Sequence, residues 1–399
     1  MKFSDIIGQE PLKQRLKRTV SENRVSHAQL FLGPEGSGKL ALALAYAQYI
    51  NCRHRTPEDS CGECPSCKKY SKLIHPDLHF IFPVNSTKEV TGSKILSTDF
   101  IIPWREFLLQ NGSYVTLSDW YDKIGIEKKQ GLINAEDADS INRTLAYKAY
   151  EAEYKVMIIW MVEKMNASSA NKLLKNLEEP PTKTLFILIS ENQEQIILTI
   201  LSRAQLISFS HLPNAVIKQS LERNYDIPAE EAERITVLAD GNYTAALMYA
   251  GKTGSGNVSL QAELEKFFIF RDWMRRCFTI SNELKDYDLF LEIIPRLLVD
   301  GSREKQKELL IYSLNMFRIC LQYNVGNHHL VKLTGEEFDF VKKFSVYIHP
   351  RNIKFFDEEV NRAIFHIERN ANALIVLTDL SHLIARMFKI QATPQVKKV

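Results

Sequence analysis

The chain has 399 residues, too many for one ordinary core and suited to two or three domains. With 45% hydrophobic and 25% charged residues it has the composition of a packed globular protein, and its net charge of +3 neither demands nor forbids nucleic acid, because local patches outweigh the sum. No apolar run reaches the ~18 residues of a membrane span. The opening MKFSDIIGQE lacks the basic and apolar regions of an export signal, so a cytoplasmic location is expected.

In chain order, residues 5–23 carry helical spacing, with Ile6, Leu12, Leu16 and Val20 as apolar marks. Ala28 to Leu32 follows as a short buried strand. It runs into a glycine-rich turn, Gly33 to Gly38, and then a helix from Leu40 to Ile50. A second short helix is expected near Lys68 to Leu73. Residues 84–129, with Pro103, Trp104 and Trp120 among polar turns, have no clear period and look like an insertion. Beyond Leu132 the alternation resumes: a strand at Lys155 to Trp160, a helix at Ser168 to Leu177 and a strand at Thr184 to Ser190. Such alternation predicts a parallel sheet covered by helices. After Pro213 only helical patterns remain, and Gly251 to Gly256 is the best linker candidate. The expected division is an α/β core over 1–211, a small helical domain over 212–256 and a larger helical domain over 257–399.

The turn Gly33-Pro-Glu-Gly36-Ser-Gly38-Lys39-Leu40 matches G-x-x-x-x-G-K between a strand and a helix, the context that makes it a phosphate loop. Its glycines let backbone N–H groups turn toward phosphate oxygens, and Lys39 would reach the β- and γ-phosphates. A glycine-rich turn that binds nothing is the plain alternative. The next position should carry a hydroxyl for Mg²⁺, and Leu40 has none. The strand Val156-Met-Ile-Ile should end in an acid that holds the metal, followed by one that polarises water. Trp160 and Met161 stand there instead, with Glu163 the one acid close enough to stand in. These losses describe a vestigial site: ATP binding weak or absent, the Mg²⁺ site lost.

Four of the six cysteines crowd into Cys52-x8-Cys61-x2-Cys64-x2-Cys67. Without an export signal this pattern points to a metal in a reducing compartment. Four sulfurs make a closed tetrahedral site, so structural Zn²⁺ is expected. An iron–sulfur cluster and four unligated thiols are the other readings, and His54 is a spare ligand.

A cysteine module placed directly after the phosphate-loop helix resembles the bacterial clamp-loader AAA+ subunits, the tau/gamma and delta-prime family of DNA polymerase III. Further segments agree in order: Ile6-Ile-Gly-Gln-Glu10, Ser26-His-Ala28, His75-Pro-Asp77, Asn171-Lys-Leu-Leu-Lys-Asn-Leu-Glu-Glu-Pro-Pro181 and Leu201-Ser-Arg-Ala204. The resemblance covers about residues 1–80 and 130–250. It implies an AAA+ phosphate-loop core with helices on both sheet faces, a helical lid and an all-α collar that joins a ring.

Within the family, Ser202-Arg203-Ala204 matches a Ser-Arg-Cys motif whose arginine acts on ATP held by the neighbouring subunit. An ordinary surface arginine is the plain alternative. Thr244 stands where motor subunits carry a sensor arginine. Losses at Leu40, at Trp160 and Met161, and at Thr244, with Arg203 retained, resemble delta-prime more than tau/gamma. The implied role is a subunit without ATPase activity of its own, inside a DNA-directed DNA polymerase holoenzyme. Its implied partners are tau/gamma and delta subunits and, through the complex, the sliding clamp and primer–template DNA.

Two alternatives stay open, an active tau/gamma-like motor using Glu163 and a zinc-bearing scaffold outside replication. Glu178 and Glu179 are expected to be solvated or capping residues. The aromatic group Phe267, Phe268, Phe270 and Trp273 is expected to pack in a helical core, and Arg271, Arg275, Arg276, Lys342 and Lys343 to be wet faces.

Overall fold

A computed structural model describes residues 1–92, 94–127, 129–252, 260–282, 288–298, 302–328, 331, 333 and 335–390. The chain forms two compact units: residues 1–126 with 130–256, and residues 257–399 with 127–129. Most of the expected linker, from residue 253 on, lies outside the described residues.

The N-terminal unit is built on five parallel strands in the order β2-β3-β4-β1-β5: β1 (Ala28–Leu32), β2 (Leu78–Ile81), β3 (Lys155–Trp160), β4 (Thr184–Ser190) and β5 (Gln205–Ser208). Leu30 of β1 pairs with Leu188 on one side and Leu206 on the other, which sets the central register. Alternate strand residues enter two separate cores. Phe31, Ile158 and Ile187 face one layer, and Leu30, Ile159 and Leu188 face the other. Helices cover both faces, as parallel strands require. This is the parallel, doubly covered α/β core that the resemblance implies.

Helix α1 (Glu10–Ser21) starts later than its apolar marks suggested, because Gly8 and Gln9 both turn at positive φ and a single 3₁₀ turn, Phe3–Asp5, precedes them. Helix α2 (Lys39–Ile50) is buried over its whole length. Helix α3 (Pro65–Ser71) begins three residues before the expected Lys68, since Pro65 suits a first turn and Cys64 caps it.

The segment His75-Pro-Asp77 organises the entry to β2 and β3. Asp77 accepts backbone N–H groups from Tyr150 at 2.6 Å and from Glu151 and Ala152 at 2.9 Å, and its own amide donates to His75 Nδ1 at 3.1 Å. Burial alone would raise the Asp77 pKa, but those three amide donors outweigh it and hold the carboxyl below its ordinary value.

The described residues of the insertion fold against the core. Val84 and Leu132 exchange backbone hydrogen bonds, so it leaves and re-enters at one point. It contains α4 (Ile101–Gln110) and α5 (Leu117–Ile124), and its Trp104 and Trp120 are fully buried. Pro103 falls in the first turn of α4, where a missing N–H costs nothing. Helix α6 (Ala135–Leu145) leads back to β3, and α7 (Ala167–Glu178) and the short α8 (Leu198–Leu201) follow β3 and β4. Three small helices complete the unit, α9 (Asn214–Tyr225), α10 (Ala229–Ala239) and α11 (Tyr243–Tyr249). Their Ile217, Leu221, Ala246 and Leu247, with Leu212 just ahead of α9, join the same core as α2 and the insertion.

The C-terminal unit is helical: α12 (Leu260–Asn282), α13 (Asp288–Leu297), α14 (Arg303–Asn324), α15 (Gly335–Phe344), α16 (Ile353–Glu368) and α17 (Ala373–Met387). Phe267, Phe270 and Trp273 are fully buried there, and Trp273 Nε1 donates to Ser381 Oγ at 2.8 Å. Arg271 lies over the Phe268 ring and pairs with Glu336, and Arg276 pairs with Glu292. No described helix is long and apolar enough to cross a membrane.

Candidate functional site

The strand–turn–helix of the phosphate loop is formed as expected, and the loop is filled by the protein itself. Lys39, almost fully buried, donates to the Gly33 carbonyl at 2.8 Å and the Pro34 carbonyl at 2.6 Å, with Glu191 Oε1 3.6 Å away. The ammonium is thus satisfied by its own loop and a neighbouring carboxylate, where a bound nucleotide would supply phosphate oxygens. The cavity beside it, lined by Gly36, Gly38, Leu40, Tyr114, Trp160 and Thr244 among others, measures about 20 Å³. That holds about one water molecule.

Three sequence segments close this site. From the small helices, the Tyr243 amide donates to the Gly36 carbonyl at 3.2 Å and Asn242 Nδ2 to Glu35 Oε1 at 3.0 Å. Gly36 sits at φ +69°, and a Cβ there would overlap the Asn242 side chain. From the insertion, Tyr114 stands beside Gly38 with its ring 4.8 Å from that of Tyr243, edge to face. Beneath them Trp160, where an acid would hold a metal, packs 5.0 Å from Trp104. Trp104 stacks on Phe82 at 4.3 Å and meets Trp120 edge to face at 4.9 Å. Trp160, at the position where a metal-holding acid was expected, is therefore part of the insertion's aromatic core.

Glu163 points elsewhere. Its Oε1 accepts the Glu191 amide at 3.0 Å, its Oε2 is shielded with no partner among the described residues, and it does not line the cavity. Burial pushes its carboxyl above the ordinary range. Thr244, at the expected sensor position, lines the cavity and offers no charge. Glu191, Tyr114 and Asn242 are the residues sequence reasoning missed. Glu191 and Tyr114 belong to no motif singled out in the sequence, Asn242 lies inside the expected sensor segment without a role of its own there, and each reaches the loop from a distant segment.

The cysteine module brings together all four expected sulfurs, each within 4.8 Å of the others. Cys52 and Cys61 Sγ are 3.5 Å apart, and Cys61 and Cys67 Sγ 3.9 Å. Metal–sulfur bonds of ~2.3 Å in a tetrahedron imply edges of ~3.8 Å, so the set fits one ion. Backbone amides of Cys61, Cys64 and Cys67 point at the sulfurs of Cys52, Cys61 and Cys64 at 3.3, 3.3 and 3.5 Å. The Cys64 amide leads in lowering the Cys61 thiol to about 6, while burial pushes Cys52 and Cys67 up. A central cation would offset that burial cost. His54 is exposed and is not among the clustered groups. Asp59, inside the module, accepts the amides of Phe3 and Ser4 at 3.0 and 2.9 Å and fastens the N-terminal turn to it.

Arg203 lies on the turn between α8 and β5, partly exposed. Its Nε and Nη2 both reach Glu178 Oε1 at 2.6 Å, and its Nη1 donates to the Thr199 carbonyl at 3.1 Å and Ser202 Oγ at 3.0 Å. Glu178, expected to be solvated or capping, is exposed and in addition pairs with the candidate finger.

A family model described as DNA polymerase III, delta subunit, matches residues 8–213, more than half of the chain. The chain belongs to the clamp-loader AAA+ family of DNA polymerase III. Clamp-loader relatives of several types resemble it. The tau subunit of Bacillus subtilis is 29% identical over 62% of this chain and 36% of its own length. The delta-prime subunit of the same organism is 29% identical over 52% of this chain and 50% of its own. The tau/gamma subunit of Haemophilus influenzae is 28% identical over 89% of this chain and 45% of its own. The chain thus spans half or less of the length of these relatives. Among solved structures, a gamma-subunit-related protein of Thermotoga maritima is 14% identical, covers 94% of this chain and 99% of its own, and superposes with a TM-score of 0.40.

Proposed function

We propose that this clamp-loader subunit is of the delta-prime type: it holds no working nucleotide site and supplies Arg203 to the ATP site of a neighbouring motor subunit. The observation that carries this is the self-filled phosphate loop, in which Lys39 is bonded to Gly33 and Pro34 and room remains for about one water. The side chains of Leu40, Trp160 and Met161 offer no oxygen at the positions that ordinarily hold Mg²⁺, and the carboxylate that does line the cavity, Glu191, lies 3.6 Å from the Lys39 ammonium. Hydrolysis then belongs to partners of the tau/gamma type, and the chain acts by assembly and positioning during clamp loading on primed DNA. The cysteine set is proposed to hold structural Zn²⁺, which four sulfurs without an open position suit.

Calorimetric titration of Mg–ATP into the isolated chain tests the reading. No saturable heat is expected up to millimolar ATP. A micromolar Kd that Lys39→Ala abolishes would instead mean a working site and favour the motor-type reading.

A further inference from the structure

We infer that Glu178 is a positioning residue for Arg203, an inference that rests on the trans-acting role just proposed. A guanidinium has five N–H donors in a rigid fork; three of them make the hydrogen bonds above, and Nη2 lies at ion-pair distance from the same Glu178 oxygen. The two sides of the fork are held unequally. The Nε–Nη2 edge meets a carboxylate, a charge-assisted contact, whereas Nη1 meets a neutral carbonyl and a hydroxyl on its own turn. An incoming phosphate therefore displaces the Nη1 contacts first. Glu178 keeps its edge and fixes the plane in which the other edge is presented.

The backbone that carries Glu178 is anchored. Glu178 is the last residue of α7, and the carbonyl of the preceding Leu177 accepts a hydrogen bond from His27 Nε2 at 2.9 Å. Pro180 and Pro181 then end the helix, since neither can continue it. His27 thus steadies the helix end that carries Glu178, and Glu178 in turn meets the Arg203 guanidinium. An exposed ion pair contributes little to stability, ~0–1 kcal/mol. The pair's consequence lies in orientation, where small misplacements of a transition-state group cost rate.

The test is a double-mutant cycle read in ATP turnover by a tau/gamma-type motor assembled with this chain, the sliding clamp and primed DNA. Glu178→Ala is expected to lower kcat about threefold to tenfold with KM for ATP unchanged, because the nucleotide is bound by the neighbour. Glu178→Gln, which keeps an acceptor, restores part of that loss. In an Arg203→Ala background Glu178→Ala is expected to have no further effect. A Glu178→Ala loss that persists without Arg203, or turnover unchanged by Glu178→Ala alone, overturns the positioning role. An assembly indifferent to Arg203→Ala itself overturns the trans-acting reading on which it rests, and the two failures are thus told apart.

Discussion

Trp104 is at the centre of the aromatic core that the insertion builds against Trp160. It is fully buried, stacked on Phe82, and in contact with Trp120, Trp160 and Phe107. Trp104→Ala removes one large buried ring and its aromatic contacts, a loss of about 4 kcal/mol. With a urea m-value of about 3 kcal/mol per M for a unit of this size, the midpoint falls by about 1.3 M. The assay is built in: three of the four tryptophans sit in the N-terminal unit, and Trp273 reports separately on the C-terminal unit. Trp104→Phe should cost less than ~1.5 kcal/mol, because Trp104 Nε1 is buried with no partner among the described residues and its removal strands nothing. Trp120→Phe should cost more, since Trp120 Nε1 donates to the Pro83 carbonyl at 2.9 Å and that acceptor would be left buried. A Trp104→Ala shift below about 0.3 M, or a Trp120→Phe cost no larger than that of Trp104→Phe, would refute this account of the insertion.

Other outcomes follow from the same geometry. Elemental analysis of purified chain should find about one zinc per molecule, falling sharply in Cys64→Ser; iron with visible absorption, or four freely titrating thiols and no metal, would contradict the closed zinc site. Burial, aided by Lys155, pushes the His79 imidazole down to about 4. The unfolded chain, with a pKa near 6.5, takes the proton first, so this contribution to stability is complete above about pH 6.5 and is lost as pH falls toward about 4. His79→Leu should therefore flatten the fall in thermal midpoint between about pH 7 and 4.5, and an unchanged slope would count against it. Truncating Tyr114 to alanine should enlarge the cavity beside Lys39 without restoring ATP hydrolysis, because no acid replaces Trp160; turnover in that variant would show that the insertion alone silences the site.

What could be read from sequence was what is local. The phosphate loop, β1, β3, β4 and the cysteine spacing each declare themselves within a dozen residues. The four-residue strands β2 and β5 were missed: β5 has only Ile207 buried, so it shows no clear alternation. The helices of the insertion were illegible because their large residues answer to partners far along the chain, Trp104 to Phe82 and Trp160 among them. The site has the same character. Lys39, Leu40, Trp160 and Arg203 could be singled out from their motifs. The pairs Lys39–Glu191 and Arg203–Glu178 exist only because parallel crossovers bring the ends of successive strands and helices together.

The most direct test of the central claim is ATP turnover by a tau/gamma-type motor assembled with this chain, wild type against Arg203→Ala, beside the isolated chain. The account predicts a silent isolated chain and a clamp- and DNA-stimulated rate that drops when Arg203 is lost. Hydrolysis by the isolated chain that disappears with Lys39→Ala would contradict it, and would make this subunit a motor.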